Sequence, residues 1–185
     1  MKHTRVKDLI LCALFAALIA VGAFVRISVP PVPFTLQIFF VAMAGLILGP
    51  RRGAISVMVY IIIGLIGIPV FTSGAGPAYV LTPTFGYIIG FVIQAWLTGY
   101  LVEKRGDASF KTTVLAAFSG AAMSFAVGIP YFYLLKNIYL GTHMDIWAVI
   151  YSTFLLFVPA DAILMFLAAW IGKKIVPHLK KSSLI

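Results

Sequence analysis

The sequence predicts an all-α polytopic membrane protein: a single domain over 1–185, six transmembrane helices, both termini cytoplasmic. Two observations carry that fold class. Hydrophobic residues make up 62% of the 185-residue chain and charged residues 10%, and the mean hydropathy is +1.09. No soluble domain of this size can hide so much apolar surface, so lipid must solvate most of it. The second observation is the placement of Lys and Arg. Lys2, Arg5, Lys7, Arg51, Arg52, Lys104, Arg105, Lys111, Lys173, Lys174, Lys180 and Lys181 fall in one alternating set of loops and tails, leaving only Arg26 and Lys136 in the other. Short loops that alternate in this way follow the positive-inside rule, which places the termini inside and the loops at 26–33, 69–83 and 136–145 outside.

The elements follow in order. A span needs about 20 mostly apolar residues, which leaves room for roughly six and for no separate soluble domain. Basic MKHTRVKD precedes an apolar run at 9–25. A cleaved signal with AVGA at 20–23 is the alternative for this run, but the run is long for a signal core and further spans follow. RISVPPVP (26–33) reads as a stiff, proline-bounded loop. Residues 34–49 form a short second helix, GPRRG (49–53) a tight turn, and 54–68 a third helix. The fourth helix covers 84–102, and EKRGDASFK (103–111) is the most polar loop. The fifth covers 113–135, with Gly128 and Pro130 expected to bend it, and the sixth covers 146–171, interrupted by Pro159.

The unusual stretch is PVFTSGAGPAYVLTPTFGYIIGF (69–91). Gly74, Gly76 and Pro77 break the helix. Non-helical backbone at this place must face water, a cavity or other protein, never lipid. Because the segment also carries Phe71, Tyr79 and Leu81, it is expected to fold back over a small-molecule site and form part of it.

Several function classes are disfavoured. The net charge of +9 is scattered over many loops rather than gathered into a stripe, so no nucleic-acid partner is expected. No G-x-x-x-x-G-K-[ST] run exists, so the chain does not cradle nucleotide phosphates by that loop. His3, His143 and His178 are far apart and the single Cys12 cannot form an intramolecular disulfide, so neither metal nor cofactor is expected. Asp161 alone among the acids lies well inside a predicted span. One carboxylate cannot supply an acid/base pair, so an enzyme is not expected.

PVPFTLQ (31–37), PTFGYIIGF (83–91) and FVPAD (157–161) in a six-helix chain resemble the biotin-specific S components of energy-coupling factor (ECF) transporters, the BioY family. The resemblance covers nearly the whole chain. It implies a vitamin-binding membrane subunit whose outward site lies under the loops joining helices 1–2 and 3–4. It also implies partners: a transmembrane coupling subunit and two cytosolic ATPases, in the plasma membrane of a prokaryote. Two departures stand out. Phe85 replaces the first glycine of the family's PTGGY, and the family's PGD-x-x-K reads here with Ala160 for the glycine and Leu164 for the lysine. Without that lysine the expected ligand widens to biotin or a related acid such as lipoate, dethiobiotin or pimelate.

Candidate ligand contacts are Asp161, Gln37, Tyr79, Thr84, Phe85, Gly86, Tyr87 and Arg26. An aspartate inside a span demands a partner, and a carboxylate beside the notch left by Pro159 can accept the N–H bonds of a cyclic urea. The Gln37 amide can donate and accept at once, although a helix-end or interhelix bond would use it equally well. Tyr79 and Tyr87 offer a ring face and a hydroxyl, and Thr84 a hydroxyl. Phe85 and Phe91 are candidates to line the apolar part, with helix packing the favoured reading for Phe91. Gly86 and Gly90 form a G-x-x-x-G pair that first of all signals close helix contact. Arg26 and Lys136 are the two outer cations that could hold a ligand carboxylate or lipid head groups, and Arg26 is slightly favoured because guanidinium grips a carboxylate with two bonds. Ala13 and Ala17 share one face of the first helix, and the resemblance implies that such a stripe docks the coupling subunit. Two other classes stay open at this stage: a proton-coupled secondary transporter of a small organic acid using Asp161, and an assembly subunit with no ligand.

Overall fold

The computed structural model describes residues 2–28 and 32–181. Five of its helices are long and apolar enough to cross a membrane. Helix α1 (Lys2–Phe24) leads into a minimal antiparallel hairpin, β1 (Arg26–Ile27) with β2 (Phe34–Thr35), in which Arg26 faces Thr35. Then come α2 (Gln37–Leu65), a 3-10 turn at Pro77–Leu81, α3 (Phe85–Arg105) and α4 (Phe110–Leu134), which runs on as a π turn to Tyr139. A short α5 (Ile146–Ile150) and a second π turn (Tyr151–Leu155) precede α6 (Val158–Lys181).

Helix α2 is two arms rather than one rod. Gly49 has φ +79 and ψ −178, a conformation open to glycine and hostile to side chains, and Pro50 follows it. Gln37 Nε2 donates to Tyr60 Oη at 2.8 Å, although the two would stand about 35 Å apart along a straight helix. The arms therefore fold against each other, with the reversal where the sequence predicted a tight turn. It is tighter than expected, helical on both sides of a single residue.

Other boundaries shift for physical reasons. The second helix begins at Gln37 rather than 34 because Phe34 and Thr35 pair with Ile27 and Arg26. Helix α4 starts earlier, at Phe110, because Ser109 caps it, its side chain accepting from the Thr112 amide. The last helix runs past 171 to Lys181. The sixth span is interrupted beside Pro159, as expected: the helix breaks at 156–157, and Pro159 falls in the first turn of α6, where a missing N–H costs nothing.

Helix α3 is the central slat, held at backbone contact on two sides. A Cβ on Gly45 would lie 2.5 Å from the Ala95 carbonyl oxygen, and one on Gly99 would lie 2.4 Å from Gly49 C, so α2 and α3 touch through glycine. Toward α4 the same holds for Gly90 against Ser124 (2.7 Å) and Gly120 against the Gln94 carbonyl (2.9 Å). In lipid such close approach replaces the hydrophobic effect as the packing force. Buried Gln94 and Thr98 donate to the Ile38 and Ala116 carbonyls across these seams.

Several of the described basic residues gather at one end of the bundle. Arg52, just past the α2 break, pairs with Asp8 of α1 at 2.9 Å. Glu103 near the end of α3 lies against Gly49, and Lys173 of α6 sits over the Phe110 ring at the start of α4.

Candidate functional site

At the other end the segment between α2 and α3 folds back onto the bundle. Gly64 lacks a side chain where the Phe71 ring enters; a Cβ there would lie 2.1 Å from it. The Gly76 amide donates to the Gly64 carbonyl at 2.8 Å, and Gly76 takes φ +95 to make that turn. Phe71 then stacks on Tyr79 at 4.4 Å between ring centroids and meets Tyr60 at 5.4 Å. Tyr131 of α4 donates to the Val80 carbonyl and so ties the same segment to the opposite wall.

Beneath it lies a half-open cavity whose enclosed volume is about 80 Å³. Its apolar lining includes Phe34, Ile38, Ile88, Phe91, Phe125 and Phe157. Phe34 of the hairpin stacks nearly parallel on Phe157, with centroids 6.3 Å apart, and closes one side. Tyr87 owes its place to Gly128, whose bare Cα lets the phenol lie against α4.

Three polar groups on the wall have no side-chain partner among the described residues. Asp161 is 92% buried in the first turn of α6; its backbone amide donates to the Phe157 carbonyl at 2.9 Å, and its carboxylate has no partner among the described residues. The Tyr87 hydroxyl is buried without a hydrogen bond. Its polar neighbour Thr153 donates instead to the Val149 carbonyl at 2.7 Å. Thr84 is half-buried and its hydroxyl caps nothing. Gln37 differs, because its amide donates to Tyr60 and accepts from Thr35 and Thr72 at 3.4 Å each. Tyr60 passes the bond on to the Val70 carbonyl at 3.2 Å.

The structure thus brings Asp161, Gln37, Tyr79, Thr84 and Tyr87 to one cavity. It leaves out three others. Phe85 packs among Phe71, Tyr79 and Tyr131, and Gly86 abuts Tyr131, where a Cβ would lie 2.3 Å from the tyrosine Cβ. Both are turned off the wall by the helical step of about 100° per residue. Arg26 is exposed on β1, and its guanidinium donates to the Thr72 carbonyl, stitching the two loops together. Phe91 lines the wall, where the sequence reading assigned it to packing. Thr72, Phe34, Phe125 and Phe157 were missed. The three phenylalanine rings look like lipid-facing residues until the fold is known.

Ala13 and Ala17 are exposed on α1, whereas Ala16 is buried. With Val59, Tyr60, Ile63 and Val70 they line an apolar recess on the flank of the bundle.

A multi-helix membrane protein with a half-open, mostly apolar cavity and a few unpartnered polar groups is a small-molecule-binding protein of the bilayer. The comparisons make the class particular. A profile of the BioY family matches residues 1–181. The "Probable biotin transporter BioY" of Lysinibacillus sphaericus is 48% identical over 141 residues, 76% of this chain and 72% of that one. The "Biotin transporter BioY" of Thermotoga maritima is 37% identical over 91% of this chain and 95% of its own. The crystal structure of an S-component for biotin from an ECF-type ABC transporter superposes with a TM-score of 0.82 at 29% identity, covering 94% of this chain and 93% of that one. The chain belongs to the BioY family.

Proposed function

We propose that the protein is the substrate-binding S subunit of an ECF-type ABC vitamin importer and binds biotin or a biotin-like acid on the extracellular side. Its relatives carry the names of biotin transporters, and the similar solved chain is an S-component for biotin. The observation that carries the reading is the cavity itself: a half-open site with an unpartnered carboxylate, Asp161, at the end of the bundle away from the cations. Clustered cations mark the cytoplasmic side, so the mouth faces outward. Counting the two arms of α2 separately gives six crossings and two cytoplasmic termini.

Asp161 and Tyr87 hold the ligand head, Thr84 and Tyr79 flank it, and Gln37 shapes the wall from its bond to Tyr60. The recess beside Ala13 and Ala17 is the docking face for the transmembrane coupling subunit, which brings the two cytosolic ATPases. The test is mass spectrometry of small molecules that co-purify with the full chain, followed by calorimetric titration with biotin. Stoichiometric biotin and saturable binding are expected. An empty protein that takes up no biotin on titration would overturn the assignment. Uptake that collapses with an uncoupler and needs no ATPase would instead favour a proton-coupled carrier.

A further inference from the structure

The described wall of the cavity carries one charged side chain, Asp161, and no cation. The two cations of the outer loops lie elsewhere. Arg26 is exposed and bonded to the Thr72 carbonyl, and Lys136 lies in the π turn after α4. Leu164, three residues past Asp161, packs against the core.

The unpartnered polar groups are therefore acceptors or neutral hydroxyls: the Asp161 carboxylate, the Tyr87 hydroxyl, nine-tenths buried and bonded to nothing, and the Thr84 hydroxyl. Such a set suits an uncharged head that presents N–H donors to the carboxylate and a carbonyl to the phenol. A second anion drawn into this lining would sit unpaired among phenyl rings and be repelled by Asp161. The cavity is open on one side, so a flexible tail has a route to water.

Resting on the reading of this cavity as the biotin site, we infer that the protein grips the neutral hydrogen-bonding head of its ligand and leaves the tail carboxylate hydrated at the mouth. Selectivity then lies wholly in the head. Amides and esters that cap the tail are ligands alongside the free acid, whereas acids whose heads lack N–H donors are not. Dethiobiotin, which keeps the cyclic urea, is on the accepted side; lipoate and pimelate are on the rejected side.

The experiment is calorimetric titration of the full chain in detergent with biotin, biotin methyl ester, biotinamide and lipoate. Lipoate shares the five-carbon acid tail but has a dithiolane head without N–H. Binding of biotin, its ester and its amide within about threefold of one another is expected, with no measurable lipoate binding and the same pattern in Arg26→Gln. A charge-assisted bond to the carboxylate would favour the acid by about tenfold or more. An acid that binds that much more tightly than its ester and amide overturns the inference and leaves the biotin site standing. Lipoate binding as tightly as biotin also overturns it. Failure of biotin, ester and amide alike removes both the biotin reading and the inference.

Discussion

Asp161→Asn separates a ligand-binding acid from a structural one. The substitution preserves size and one acceptor oxygen but removes the charge and puts N–H donors where a second acceptor stood. In the empty protein the Asp161 side chain makes no hydrogen bond or ion pair among the described residues, so the change breaks nothing. Burying an amide in place of a carboxylate also relieves a desolvation cost. The thermal stability of the empty protein should therefore hold or rise. In the complex, one hydrogen bond to a charged acceptor contributes about 1.5–3 kcal/mol, which corresponds to a loss of about 10- to 150-fold in affinity. The assay is calorimetric titration with biotin, paired with the melting temperature of ligand-free protein. Unchanged affinity with a clearly lower melting temperature would refute the reasoning and assign Asp161 to the scaffold.

Tyr60→Phe removes the partner of Gln37 Nε2 and the donor to Val70, so the melting temperature should fall by the equivalent of about 1–3 kcal/mol, the cost of orphaned buried groups. Biotin affinity should fall with it, because Gln37 loses its fixed orientation. An unchanged melting temperature would show that the bond contributes nothing. Gly99→Val drives a side chain into the backbone of Gly49 and Pro50 and should destabilise by about 1–3 kcal/mol or more, read as lost yield of monodisperse protein. Ala13→Trp or Ala17→Trp should abolish co-purification with the coupling subunit while leaving biotin titration intact. Loss of both together would assign those alanines to folding.

Much of this architecture is legible in the chain because lipid leaves few alternatives. An apolar run must be a helix, and a run broken by Gly-x-Gly-Pro must turn aside into something. That logic led to the segment after α2 and to Asp161, and the family resemblance added Tyr87, Gln37 and Thr84 on the same wall. It failed where direction rather than identity decides. Phe85 and Gly86 sit beside Tyr87 in sequence, but one and two helical steps swing them toward Tyr131. Arg26 was chosen for its chemistry, and only the hairpin pairing with Thr35 fixes where its guanidinium reaches. The π turns at 135–139 and 151–155 carry no periodic signature and go unread in the sequence, although the span limits at 135 and 146 fall within a residue of Leu134 and Ile146. Two-residue strands likewise carry no such signature.

The glycine-tight seams join α2, α3 and α4, all of which lie before residue 135. The acid of the cavity arrives with α6. A chain emerging into the membrane in sequence order can thus close its most demanding backbone contacts while the site still lacks its one charged group. Assembly of the scaffold and acquisition of recognition are separate events in the life of the molecule. The second waits on the last span, which brings Asp161 together with Thr153 and Phe157 to complete the wall.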